Sequence, residues 1–171
     1  MRKIYLFIVL LLSVQNIYSQ EDKDQKEAFT FPSEYGDFMV PLWSKVILEL
    51  KEIENEEYVY RILSLESYDK FYSFKAEENL FNKNPKENTV ELFFIGAFYN
   101  DGDDDKDYKT ILKIRNNLKK DLAYKADIKY YYKDDFESTS IVGAYSGVST
   151  TEIWHNKIDF IALYDFKVNK L

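Results

Sequence analysis

The longest regular alternation of apolar and polar residues in this chain covers residues 121–132. One face of the segment carries an apolar or aromatic side chain at every second position: Leu122, Tyr124, Ala126, Ile128, Tyr130 and Tyr132. Because successive side chains of a strand point to opposite sides of a sheet, this pattern predicts a half-buried antiparallel strand. At about 3.3 Å per residue the strand would be long for a globular protein, so we also expect a bend or bulge.

A second segment, residues 89–99, is apolar on both of its faces. This predicts a strand that other parts of the protein cover on both sides. Gly96 within it predicts a bulge or a close approach by other atoms. Residues 108–115 resume the alternation, so the two segments are predicted to form a hairpin.

The segment 43–53 is ambiguous, because its apolar residues fit either a strand or a helix. Residues 58–65 are rich in residues that favour strands, and residues 54–57 between the two segments have the length of a hairpin loop. We therefore favour a hairpin over a helix followed by a strand. Residues 76–81 are expected to form a short helix or a turn.

Further strands are predicted over residues 136–145, 151–154 and 158–168, with a turn at Ser146 and Gly147. Together these segments give about seven to nine strands at the spacing of an antiparallel sandwich. The sequence therefore predicts an all-β fold, namely a single antiparallel β-sandwich with immunoglobulin-like architecture over residues 29–171. We find no linker, repeat or shift in composition that would divide this stretch into two domains.

The N-terminus has the pattern of a secretory signal peptide over residues 1–19. Arg2 and Lys3 precede a continuous apolar run, and small Ser19 lies at the expected cleavage site. The run is too short for a stable membrane anchor, and the chain contains no cysteine for a lipid attachment. We therefore expect an exported protein, periplasmic or extracellular, with a flexible charged leader over residues 20–28 and no membrane span after cleavage.

Charge and composition narrow the range of partners. The formal net charge is −7 and becomes −9 once Arg2 and Lys3 are removed. Such a charge repels nucleic acid and anionic lipid, and it favours a soluble monomer. Without cysteine, the fold has no disulfides, thiol nucleophiles or cysteine metal ligands.

The acidic segment 100–107, NDGDDDKD, is the strongest candidate for a metal site. Oxygen ligands on Asp101, Asp103, Asp105 and Asp107 would suit Ca²⁺. However, an EF-hand loop that begins at Asp101 requires glycine where Lys106 stands and a carboxylate where Leu112 stands. We therefore interpret the segment as a solvated hairpin tip and expect no cofactor, with calcium as the alternative.

The sequence offers few candidate catalytic residues. His155 is the only histidine, and no Gly-x-Ser-x-Gly motif or histidine pair accompanies it. The 30 acidic residues allow many carboxylate pairs of the kind that glycosidases use, but no spacing distinguishes one pair from another.

Aromatic residues, at 18% of the chain, offer candidate binding sites. Tyr131 falls on the face opposite the main alternation, and Trp154 lies near a predicted turn. Exposed rings of this kind stack on sugars in many carbohydrate-binding modules. We expect an exported, non-catalytic binding module for a protein partner. The alternatives are a carbohydrate-binding module that uses Tyr131 and Trp154, and a glycosidase-like hydrolase with an acid pair.

The interpretation of segment 100–107 can be tested by thermal unfolding. A solvated tip gives the same melting temperature with added Ca²⁺ and with a chelator, because a ligand stabilises only a protein that it binds. A rise in melting temperature with Ca²⁺ that the chelator reverses would instead establish a calcium site.

Overall fold

A computed structural model describes residues 38–99 and 107–170. The predicted signal peptide (1–19), the predicted leader (20–28) and three of the four candidate calcium ligands, Asp101, Asp103 and Asp105, lie outside the described residues. No helix in the described ranges is long and apolar enough to cross a membrane.

The described part of the chain is built from ten strands and contains no α-helix. In chain order the strands are β1 (Met39–Pro41), β2 (Ser44–Glu52), β3 (Tyr58–Ser67), β4 (Tyr72–Ser73), β5 (Thr89–Phe98), β6 (Tyr108–Asn116), β7 (Leu122–Tyr130), β8 (Glu137–Thr139), β9 (Ser149–Trp154) and β10 (Ile158–Val168).

These strands form two sheets. One has the order β1-β10-β7-β8 and the other has the order β3-β2-β5-β6-β9. All of these pairs are antiparallel, and short β4 adds a parallel pair at the end of β5. The prediction of an all-β fold with antiparallel sheets is confirmed for the described residues, whereas the immunoglobulin-like arrangement stays a prediction.

The ambiguous segment 43–53 is a strand. β2 pairs with β3 from Ser44↔Ser67 to Glu52↔Tyr58, so the predicted hairpin is confirmed. The connection is a tight turn, Glu54–Glu56, in which Asn55 and Glu56 have left-handed φ angles of 61° and 63°. The predicted hairpin of β5 and β6 is also present, and residues 74–77 form a turn rather than a helix.

β7 confirms the alternation from which it was predicted. Its apolar face is buried from Leu122 to Ile128, and Lys125 on the other face is exposed. The end of the predicted segment differs, because β7 ends at the half-buried Tyr130 and Tyr132 lies beyond it, exposed. The expected irregularities lie on the neighbouring strand, because the register of β10 against β7 shifts between Ile158 and Phe160 and again between Tyr164 and Lys167. Bulges of this kind bend a strand and increase its local twist.

The main core lies between the two sheets. Alternate residues of β2, β5 and β6 face alternate residues of β7 and β10, and the most deeply buried of them include Leu48, Leu92, Phe94, Leu112, Ile114, Leu122, Ile128, Ile158 and Ile161. This shared core gives the two sheets a sandwich-like arrangement, in which each sheet buries one apolar face against the other.

A smaller core covers the outer face of the six-stranded sheet. Phe93, Ile95 and Ile111 are buried there beneath side chains of the cover segment, which we define as residues 68–88. Tyr72 and Phe81 from that segment are also buried. β5 is therefore covered on both sides as predicted, by the second sheet on one face and by the cover segment on the other.

The region 136–145 departs from the predicted strand, because β8 ends at Thr139. Gly143 has a φ angle of 94°, and an added Cβ would lie 2.9 Å from the carbonyl oxygen of Leu122. Ala144 then exchanges two backbone hydrogen bonds of 2.9 Å with Leu122. The left-handed turn lets the chain cross from one sheet to the other before β9.

A buried hydroxyl in the main core gives a stability test. Tyr124 is buried, and its hydroxyl has no hydrogen-bond partner among the described residues. Burial, together with the nearby Glu152 carboxylate, raises the pKa of Tyr124. Since an unsatisfied buried polar group destabilises the folded state, Tyr124→Phe should increase the free energy of unfolding by about 1 kcal/mol.

Tyr164→Phe serves as the control for that variant in denaturant unfolding. The Tyr164 hydroxyl donates to Asp127 Oδ1 at 3.2 Å, so its removal should lower stability. A loss of stability in Tyr124→Phe of the same size as in Tyr164→Phe would show that the Tyr124 hydroxyl contributes to folding.

Candidate functional site

Several strand termini meet at one end of the sandwich. β5, β7 and β9 end there, and β6 and β10 begin there. The Thr110 hydroxyl donates to the carbonyl oxygen of Asn156 (2.9 Å) and accepts the backbone N–H of Ile158 (3.2 Å), so it ties β6 to the start of β10. These two hydrogen bonds therefore join the two sheets at this end.

The same end carries all six of the exposed phenylalanine and tyrosine residues in the described ranges. They are Phe71, Tyr99, Tyr131, Tyr132, Phe136 and Phe160. We call this end the aromatic end. The opposite end, where β6 finishes and β7 begins, carries the exposed Val148, whose carbonyl accepts the N–H of Asn116. Exposed apolar residues are common singly, so the concentration of rings at one end makes this end the candidate contact surface.

The most exposed part of the aromatic end is the tyrosine cluster, which we define as Tyr130, Tyr131 and Tyr132. Tyr131 is 60% exposed and Tyr132 is 55% exposed. The rings of Tyr130 and Tyr132 are stacked with centroids 5.4 Å apart, and Tyr131 meets Tyr132 edge-on at 5.1 Å. The backbone N–H of Tyr131 donates to the carbonyl oxygen of Lys157 (3.3 Å), which anchors the cluster to the β9–β10 connection.

Charged groups border this cluster. The Lys133 ammonium lies 5.3 Å from the ring centroid of Tyr130 and 5.9 Å from that of Tyr132, within cation–π range. It also donates to Glu137 Oε2 at 2.6 Å. Burial is the largest cause that raises the pKa of Tyr130, followed by the Glu137 carboxylate.

The structure separates the two predicted aromatic residues. Tyr131 faces solvent, whereas Trp154 is only 9% exposed and its Nε1–H donates to Thr139 Oγ1 at 3.0 Å. Trp154 therefore fills the main core and bridges β9 to β8. It cannot stack on a ligand without leaving that position.

A second group of rings lies beside the outer face of the six-stranded sheet. Phe71 contacts Trp43 edge-on (4.7 Å between centroids), Phe98 (4.6 Å) and Tyr108 (6.4 Å). Trp43 has a left-handed φ of 69°, which is unusual for a bulky residue. Its backbone is fixed by two hydrogen bonds, from its N–H to the carbonyl of Phe94 and from the N–H of Tyr68 to its own carbonyl.

Sequence reasoning missed this second group. Phe71 lies in the aperiodic stretch before β4, and Tyr99 directly follows β5, where its ring stacks on Phe74 at 4.5 Å. Neither residue belongs to an alternating pattern. The sequence contained one indication of this group, which is Gly96. An added Cβ at Gly96 would lie 2.6 Å from Trp43 and 2.8 Å from Phe71, so these two rings approach the backbone closely there.

Of the four predicted calcium ligands, only Asp107 belongs to the described residues, and it is half-buried directly before β6. Within residues 38–99 and 107–170, no group of three or more acidic or histidine side chains is positioned to hold a metal ion. His155 is exposed at the β9–β10 connection.

An open cavity of about 380 Å³ lies on the hairpin of β2 and β3 and contains two carboxylates, Glu49 and Glu52. Glu49 accepts hydrogen bonds from Lys86 Nζ (3.0 Å) and Arg61 Nε (2.8 Å), and these two cations lower its pKa. Glu52 accepts one from Lys120 Nζ (2.7 Å). A glycosidase general acid needs a raised pKa, so Glu49 lacks the chemistry of a general acid.

Comparison with known proteins leaves the function to be argued from this surface alone. No protein-family model, no curated protein and no solved structure matches the chain. The candidate site is therefore the aromatic end, on the geometry of its own residues.

The close packing beneath Phe71 gives a second stability test. Gly96→Ala should destabilise the protein by about 1–3 kcal/mol, because the new methyl group must displace the rings of Trp43 and Phe71. Displacement of Trp43 should also change the intrinsic tryptophan fluorescence of the folded protein.

Gly147→Ala is the control, since an added Cβ there meets no atom within 4 Å and only the left-handed φ of 75° opposes it. We expect Gly147→Ala to lower stability without a change in fluorescence. Equal fluorescence in Gly96→Ala and the unaltered protein would contradict the proposed contact between Gly96 and Trp43.

Proposed function

We propose that this protein is a non-catalytic binding module that contacts a partner protein through its aromatic end. The observation that carries the proposal is the position of the six exposed phenylalanine and tyrosine residues, all at one end of the described structure. Tyrosine is enriched at protein interfaces because it provides a large apolar contact and a polar hydroxyl in one side chain.

The rigidity of the tyrosine cluster supports this role. Association costs free energy when flexible side chains become ordered. Here Tyr130, Tyr131 and Tyr132 already pack against one another at centroid distances of 5.1 Å and 5.4 Å. A partner would meet rings that are already ordered, so little further ordering would be needed.

The chemistry of the chain also favours binding over catalysis. There is no cysteine, and the single histidine is exposed at a connection between strands. The carboxylates of the β2–β3 cavity are held by lysine and arginine side chains. These are the features of a stabilising ion network rather than of an acid–base pair.

We further propose that the protein is exported and that its two sheets form an immunoglobulin-like scaffold. The apolar N-terminal segment and its flanking residues support secretion, so we place the module in the periplasm or outside the cell. We also propose that it acts as a monomer with an immunoglobulin-like scaffold, in which two packed sheets hold connecting segments at the ends. The shared core of the two sheets is the support for that scaffold.

A carbohydrate ligand is the second candidate, and the exposure of Tyr131 favours it. A ring that is 60% exposed offers a face on which a sugar could stack. Trp154 does not contribute to this candidate, because it lies in the core. The choice between a protein and a glycan therefore depends on Tyr131 and its neighbours.

Site-specific photo-cross-linking tests the proposal. A benzophenone amino acid at position 131 should form a discrete protein adduct in the envelope fraction of the producing cell. The same group at Val148, which is 50% exposed at the opposite end, is the matched control and should not form that adduct. An adduct from position 148 alone, or identical adducts from both positions, would contradict a partner site at the aromatic end.

A further inference from the structure

The tyrosine loop, which we define as residues 131–136, carries one positive and two negative side chains. Lys133 is paired with Glu137, so these two charges offset each other. Asp134 and Asp135 are both exposed. Neither aspartate has a hydrogen bond or ion pair with any other described residue. The loop therefore presents two exposed tyrosine rings beside two uncompensated carboxylates.

The tyrosine rings of this protein already accept ammonium groups. Lys113 Nζ lies 4.2 Å from the ring centroid of Tyr72, and Lys125 Nζ lies 5.9 Å from that of Tyr164. In the cluster itself, Lys133 Nζ lies 5.3 Å from the centroid of Tyr130. A ring attracts a cation through its negative face, and the attraction strengthens when a carboxylate stands beside it.

We propose that the tyrosine loop binds a basic segment of the partner protein, with lysine or arginine side chains on Tyr131 and Tyr132 and their charges neutralised by Asp134 and Asp135. The inference rests on the proposed function and adds the chemistry of the partner. The aliphatic stem of lysine or arginine would cover the apolar rings, and its charged head would reach the carboxylates. No other described part of the aromatic end combines two rings this exposed with two unpaired carboxylates.

The charge of the whole chain acts in the same direction. A formal net charge of −7 attracts a basic segment over long distances and repels an acidic one, so association should be fast at low ionic strength and slower as salt is added. A neutral glycan would gain nothing from the two aspartates. Salt dependence and the aspartates together therefore distinguish a basic peptide from a sugar.

The test uses fluorescently labelled octa-arginine, octa-glutamate and a neutral oligosaccharide as probes, with binding to the purified protein followed by anisotropy. The variant Asp134→Asn with Asp135→Asn removes the carboxylates but keeps their size. The matched control is Glu54→Gln with Glu87→Gln, which changes the net charge equally at two exposed positions that have no ion pair in the described structure. Melting temperatures verify that all variants are folded.

We expect octa-arginine to bind, and the aspartate variant to weaken that binding by about tenfold while the glutamate control changes it less than about twofold. Equal loss in both variants would show that only the overall charge attracts the probe and would overturn the inference. Binding of the oligosaccharide in preference to octa-arginine, unaffected by the aspartate variant, would overturn it in favour of a glycan. No binding of octa-arginine would also overturn it.

These outcomes are separable from failure of the proposed function. A protein adduct at position 131 together with equal loss in both variants refutes only the basic partner. Absence of the adduct refutes the partner site itself.

Discussion

The burial of β5 on both faces is the constraint on which the rest of the structure depends. All but one of its ten residues are buried. Leu92 and Phe94 face the second sheet, whereas Phe93 and Ile95 face outward from the sandwich. A strand that is apolar on both sides must be covered twice, so the fold requires a second layer on each face of the six-stranded sheet. The four-stranded sheet provides one layer, and the cover segment provides the other.

The sequence predicts those parts of the fold in which a period is visible. The alternation in residues 121–132 and the two-faced run in residues 89–99 correspond to β7 and β5, because burial acts on alternate residues of a strand. The cover segment could not be predicted in this way. Its buried residues, Tyr72 and Phe81, are separated by turns, so they reach the sheet without a regular spacing. Likewise, β8 ends at Thr139, and the left-handed Gly143 lies within the segment 136–145 that predicted a longer strand.

The residues of the candidate site likewise fall into those that a local pattern predicts and those that it does not. Tyr131 is exposed as its parity predicted, but Tyr132, which parity assigned to the apolar face, is exposed as well, because both residues lie beyond the end of β7. The direction of the Trp154 side chain was left open by the sequence, because a shift of one residue in a strand moves a side chain to the other face, and only the pairing of Thr110 with Trp154 fixes it. Phe71 and Tyr99 depend on contacts between distant segments. No local pattern contains that information.

A consequence for function follows from how the aromatic end is held. The rings at that end are supported by strands whose other residues form the two cores, so the surface is fixed by the same packing that stabilises the fold. The strained backbone of Trp43 illustrates the coupling: hydrogen bonds to Phe94 and Tyr68 maintain a conformation that a tryptophan would otherwise avoid. A partner that binds there meets a preformed surface. Its affinity then depends on the side chains displayed and little on any rearrangement of the sandwich.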